Sequence, residues 1–473
     1  MSGTEMLTAD LGEASGDGSV VAGFDDGDFL SSSLVGERGG HGTSIGVGEG
    51  GRCPAGAAGS SSVAAAARTG EPNRATQRTE AAVLYGLTWL ARHQMADGSW
   101  DAVAFQGSPR RCLVRGRRPC ALRRRAHRPA LLAFLGAGYS HESRQFVIDP
   151  STHARLVLGQ VVKNGLRYLV DRQQPDGSFG PDSYMYNQAI CGMALCEAYG
   201  LSGARFFREP AARAIAFLQS AQNDDPTSTG LLGWRYAPRG GDRHVGDRPV
   251  RDGAQVRGAR GPAGQPRGAR GRACWVKRCT GSEGKTGYLS VGDAGQKIEN
   301  QEELGKFDHH ESMTAVGMMV RTFTTFDWRD PAMEKGAAHL VADLPTWEPA
   351  SKRDYYYWYY ASLALNQYAG PDSPNPNKTW WSRWNEKLVA ALVAHQENVS
   401  ALADQTYATL FTDALDHACK TGSFAPTDRY GYAGRVYATA LNVLTLEVYY
   451  RFDNAFGGRL DHAGGGGRMP RER

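Results

Sequence analysis

Three short stretches of this chain set acids beside aromatics in a way that suits cation chemistry. Asp182 is followed by Tyr184 and Tyr186; His309, His310 and Glu311 stand together; and Asp354 precedes Tyr355, Tyr356, Tyr357 and Trp358. A carboxylic acid whose pKa is raised by burial can protonate an alkene, and aromatic faces stabilise the resulting positive charge through the ring quadrupole. Asp182, Glu311 and Asp354 are therefore the candidate acids, and Tyr184, Tyr186, His310, Tyr355, Trp358 and Tyr437 are the candidates for lining a cavity around a cation. The same residues have a plainer reading. An Asp just ahead of a helix caps free backbone amides, adjacent histidines make a polar helix start, and a run of tyrosines packs as wall because aromatics dominate cores.

A second chemistry is written in Asp416, His417 and Cys419, all zinc-ligand types. Three ligands within one short stretch of loop do not close a tetrahedral site unaided, so no cofactor is expected. Zinc is the alternative these three residues leave open. The eight cysteines do not read as a disulfide framework: Cys191 and Cys196 lie inside an apolar helical pattern, where a free thiol acts as a small hydrophobe. A reducing compartment is the default.

The elements that must position these residues fall into two types. Val83, Leu87 and Leu90 form an apolar stripe at i, i+4, i+7, repeated by Val162, Leu166 and Leu169 and by Ala211, Ile215 and Leu218. Between such one-faced helices stand segments that are apolar almost all round, MYNQAICGMALCEAYG, ESMTAVGMMVRTF, YYYWYYASLALNQYAG and GRVYATALNVLTLEVYY. A helix apolar on every side is buried on every side. Alternating outer and buried helices predict an all-α ring of two layers, an α/α toroid or (α/α)-barrel.

The joints repeat as well. Residues 86–101 read GLTWLARHQMADGSWD and residues 165–180 read GLRYLVDRQQPDGSFG. Gly86, Trp89, Gln94, Gly98 and Trp100 correspond to Gly165, Tyr168, Gln173, Gly177 and Phe179, with a third copy ending on Gln222 and Trp234 and weaker ones at 336–344 and 388–396. The chemistry is that of a fastened turn: an amide can bond the free groups of a helix end, Asp-Gly supplies the reversal, and the aromatic excludes water. This pattern resembles the QW motif of the squalene cyclase and protein prenyltransferase repeat superfamily, over roughly residues 80–452. The resemblance implies a terpenoid cyclase/protein prenyltransferase-like barrel whose inner helices surround a cavity for isoprenoid chains. It would also bring acid motifs, DxDD or DCTAE, and neither occurs; the nearest run, Asn223-Asp224-Asp225-Pro226, lies in a loop. Binding of a hydrophobic, isoprenoid-type ligand is thus expected, without an assigned reaction. A non-catalytic scaffold with a filled centre and a carbohydrate-active barrel with two carboxylates across a groove are the alternatives.

The net charge of +5 is local in origin. Residues 108–128 carry nine arginines and no acid, and residues 239–278 carry ten arginines and one lysine against three aspartates; the rest of the chain sums to −12. Both tracts fall where an inner helix is due, and their Arg, Gly, Ala and Pro are what a GC-rich gene gives when translated out of frame. That reading is preferred to an RNA-binding tract, so nucleic acid is not an expected partner. Residues 1–78, rich in Gly, Ser, Ala and Asp, and residues 453–473 are expected to be disordered, with the repeat domain over 79–452. No apolar run reaches the roughly 18–20 residues of a membrane span, and the N-terminus lacks a secretory pattern. The expectation is a cytoplasmic chain, compatible with peripheral membrane association, and nothing specifies an oligomeric state.

Overall fold

The structure, a computed structural model, describes residues 77–100, 127–149, 154–180, 185–223, 234, 237–238, 275–288, 290–293, 311–397, 420–449, 451 and 455. The two arginine-rich tracts lie outside these residues, apart from 127–128 and 275–278, as do the segments expected to be disordered, apart from 455 and from residues 77 and 78, which open the first helix.

Helices with one buried face are α1 (Gln77–Arg92), α3 (Leu158–Arg172), α5 (Arg205–Ser220), α7 (Pro331–Ala342) and α9 (Thr379–Val393). The predicted stripes are what they bury, with Ile215 only half covered. Alternating with them are α2 (His127–Gly136), α4 (Met185–Ser202), α6 (Ser312–Thr324), α8 (Tyr355–Ala369) and α10 (Gly434–Leu446), buried along almost their whole length. A two-stranded antiparallel hairpin, β1 (Phe146–Ile148) with β2 (Arg155–Val157), links α2 to α3, Phe146 pairing with Val157.

The buried helices pack side by side in the order α6, α8, α10, α2, α4, and each is backed by an outer helix. Outer helices α7, α9 and α1 also touch in sequence, so the last hairpin returns to the first. The fold is an all-α toroid of outer and inner helix pairs. Apolar burial sets the layers, since only a helix without a polar face can sit inside another layer.

The joints explain the repeated residues. Gln94 Nε2 donates to the carbonyl of Gly98 (3.1 Å) and to that of Val161 in α3 (2.8 Å). Gln173 Nε2 donates to Gly177 (3.3 Å) and to Pro210 in α5 (2.9 Å). Gln396 Nε2 donates to Gly422 (2.7 Å) and to Ala82 in α1 (2.9 Å), a partner 314 residues away. Each amide thus holds its own turn and the start of the following outer helix, where the sequence suggested only its own helix end. The aromatics do more than cover it: Trp100 Nε1 donates to the Leu90 carbonyl (2.7 Å) and Trp234 Nε1 to that of Leu218 (2.5 Å), capping the outer helix. A further joint carries no glutamine. Thr280 donates to the Val276 carbonyl (2.6 Å) and bridges Thr286 as Gln173 bridges Phe179, with Gly284 set against Lys335 of α7.

Gly177 has φ +88°, and a Cβ there would lie 2.2 Å from the Arg213 carbonyl oxygen; Gly98 meets Asn164 in the same way. Left-handed backbone costs an alanine about 1–2 kcal/mol, and displacing packed backbone costs about 1–3 kcal/mol more. Gly177→Ala is therefore expected to destabilise the protein by about 2–5 kcal/mol, read from the urea midpoint. An unchanged midpoint contradicts this account of the joint.

Candidate functional site

The inner helices α2, α4, α8 and α10 meet around a cavity of about 30 Å³. Its wall includes Leu132, Tyr186, Met193, Tyr356, Tyr359, Tyr360, Tyr437 and Leu441, and none of its lining residues is charged. A space of that size has room for about two water molecules. The hub is therefore packed mainly by tyrosine rings, Tyr356 on Tyr360 at 4.5 Å and Tyr359 on Tyr360 at 5.0 Å between centroids.

Helical period decides which aromatics of α8 reach the hub. Positions 356, 359 and 360 share one face, and these line the cavity. Tyr355 and Trp358, expected there, do not. Tyr355 turns to the 420–433 segment, its hydroxyl donating to the Ala425 carbonyl (3.0 Å), and Trp358 packs beside it with ring centroids 5.6 Å apart. Tyr357 reaches outward to α7, donating to Leu340 (3.0 Å). Tyr186 and Tyr437 do line the hub. Asp182, Tyr184, His309, His310, Asp416, His417 and Cys419 lie outside the described residues.

Neither described candidate acid opens onto the cavity. Glu311 precedes α6 and is engaged by Lys285 Nζ (2.5 Å) and the Thr314 hydroxyl (2.7 Å). Asp354 is buried as the N-cap of α8, its Oδ1 accepting from the Tyr357 N–H at 2.8 Å. The capping reading of Asp354 is the one the geometry follows.

Other buried acids escaped the sequence reading because no motif carries them. Asp428, beside the N-terminal end of α8, is pushed up to about 7 by burial and then by the charge of Asp354. At the opposite, C-terminal end of the inner helices, Glu197 of α4 pairs with Arg451 Nη2 at 2.8 and 3.2 Å, and Glu447 stands 3.5 Å from Arg451 Nη1. Burial drives Glu447 well above the usual carboxylate range, and it takes Glu80 of α1 to about 7. Glu197 and Glu447 thus share one buried cation, Arg451, and the charge of Glu80 adds to what raises Glu447. Among the described residues, no group of three or more His, Cys, Asp or Glu is placed to hold a metal ion. No described helix is long and apolar enough to cross a membrane.

Among solved structures, the chain is similar to the apo form of the type II terpene cyclase MstE from Scytonema. The two are 11% identical with a TM-score of 0.42, over 78% of this chain and 97% of that one. No protein-family model matches the chain, and no curated protein matches it. A likeness this distant assigns no reaction.

Proposed function

We propose that this toroid is a terpenoid cyclase/prenyltransferase-type repeat domain that holds an apolar, isoprenoid-type ligand in its hub, with no reaction assigned. The observation that carries the reading is the hub itself: four inner helices converge on an uncharged wall dominated by tyrosines. Such a wall rewards the burial of a hydrocarbon chain and offers π faces without a charged competitor. The glutamine joints fit the same reading, since their residues are those that resemble the QW motif. Part of the chain between α5 and α6 lies outside the described residues, so the cavity volume is that of the described arc.

A second reading, a non-catalytic scaffold, is favoured by the small size of that cavity, about 30 Å³. The carbohydrate-active alternative needs two carboxylates facing a groove, and the hub wall has none. Organic extraction of the purified full chain, followed by mass spectrometry, separates the first two. Polyprenyl or triterpenoid species are expected to co-purify with the protein. Leu441→Phe, which narrows the hub, is expected to reduce retention by about tenfold or more. Extracts indistinguishable from a blank purification leave the scaffold as the function.

A further inference from the structure

The N-terminal end of α8 is joined to the 425–430 segment by a set of short contacts. The Tyr355 hydroxyl donates to the Ala425 carbonyl (3.0 Å), Arg353 Nη1 to the Thr427 hydroxyl (3.1 Å), and the Arg429 N–H to the Arg353 carbonyl (3.1 Å). The Tyr430 ring lies 5.6 Å from that of Tyr356, a hub residue. At the centre of the junction sit two carboxyl groups, Asp354 and Asp428, 1% and 4% exposed. Asp354 Oδ1 accepts from the Tyr357 N–H and Asp428 Oδ2 from the Tyr430 N–H (3.2 Å). Asp354 Oδ2 and Asp428 Oδ1 accept nothing among the described residues.

Arg353 and Arg435 are engaged with other groups. Arg353 also donates to the Trp347 carbonyl (2.7 Å) and to Glu348 (2.6 Å). Arg435, on the first turn of α10, bonds Glu397 (3.1 Å) and the Ser423 hydroxyl (2.9 Å). Arg429 is buried next to Asp428 in sequence, and the Tyr355 phenol is held neutral by burial. What offsets the charge of Asp428 is a set of backbone N–H groups, those of Tyr430, Tyr355 and Asp428 itself.

We propose that Asp428, buried beside Asp354, is a proton-dependent latch: with Asp428 protonated the 425–430 segment stays seated and Tyr430 stays against Tyr356 of the hub, and with Asp428 ionised the segment releases. Burial, and then the charge of Asp354, disfavours the ionised form of Asp428 as long as the segment is seated. The sign follows from the raised carboxyl of Asp428, at about 7 in the closed state against about 3.9 when solvated. The closed state binds the extra proton, so its advantage is complete below about 4 and is lost as pH rises through about 7. Between pH 5 and pH 8 the open-to-closed ratio is expected to rise on the order of 100-fold. The latch does not depend on the hub holding a ligand.

Hydrogen exchange of the full chain, with each amide normalised to its intrinsic rate at each pH, tests this. Protection of the 425–431 amides is expected to fall on the order of 100-fold from pH 5 to pH 8, while α3 amides stay constant. Asp428→Asn, neutral and of the same shape, is expected to keep the segment protected at both pH values. Asp354→Asn keeps a capping side chain and removes the charge that adds to what raises Asp428, so it is expected to weaken the pH response and serves if the first variant folds poorly. Protection that is flat with pH in the unmodified chain overturns the latch, and so does an Asn variant whose pH response is unchanged.

Discussion

Arg451→Ala is expected to cost about 3–5 kcal/mol at neutral pH, the largest single-residue loss we anticipate. The guanidinium is buried, bonded to Glu197 on α4 at 2.8 and 3.2 Å, to the Leu132 carbonyl of α2 at 3.4 Å, and close to Glu447 just beyond α10. Burial works against its charge, but Glu197 and Glu447 outweigh that and hold it firmly protonated. Glu197 is itself raised by burial and drawn back by Arg451; at these distances it keeps its charge. Removing the cation strands that charge between three inner helices. The space does not close over it, since Gly136 already lies against Glu447 and Arg451 with no room for a Cβ.

The pH dependence of this loss has a definite sign. Without Arg451 the folded-state pKa of Glu197 rises further above its unfolded value near 4.5. The variant's deficit therefore shrinks as pH falls and is least below about 4.5, where the carboxyl is protonated in both states. Urea midpoints at pH 5 and pH 7.5 measure it. Arg451→Met combined with Glu197→Met, which removes both charges and keeps volume, is expected to recover most of the loss. An Arg451→Ala protein within about 1 kcal/mol of the parent at neutral pH would mean that the pair is hydrated and the inner ends of the helices are not held this way.

Gln396→Ala is expected to cost about 2–4 kcal/mol and to loosen the ring at one place. Its amide, 2% exposed, donates to both Gly422 and Ala82, and the variant leaves two carbonyls without that donor in a dry joint. Each such loss is worth about 1–3 kcal/mol. The distinguishing feature is location. Gln94 and Gln173 fasten hairpins that are also consecutive in the chain, whereas Gln396 ties the last hairpin to the first with no covalent continuity behind it. Hydrogen exchange in α1 is therefore expected to rise for Gln396→Ala and to change far less for Gln173→Ala. Equal exchange in α1 for the two variants rules out a special role for Gln396 in closure.

Read alone, the sequence determined the layers and most of the joints. Which helices are outer and which are inner follows from how apolar residues are distributed around each one, and that is a property of a single helix. The Gln-to-Gly spacing of 94–98 and 173–177 is likewise confined to one turn, so it is visible as a string. The joint at Thr280, Gly284 and Thr286 keeps the turn but has no amide, and the one at Gln396 and Gly422 has an insertion between them, so both fade from the string while persisting in space.

The tertiary structure decided the rest. In α8 nearly every early position is aromatic, so composition gives no face; only packing against α2, α4 and α10 selects Tyr356, Tyr359 and Tyr360 over Tyr355 and Trp358. The acids are further from legibility. Asp428 is raised by burial and then by the charge of Asp354, 74 positions earlier, and Glu80 and Glu197 come from segments far from the one that carries Glu447 and Arg451. Desolvation and the field of neighbouring charges act through space and fall off within a few ångströms. A sequence states which groups can ionise, and the packing of the inner helices determines which carboxyls burial raises.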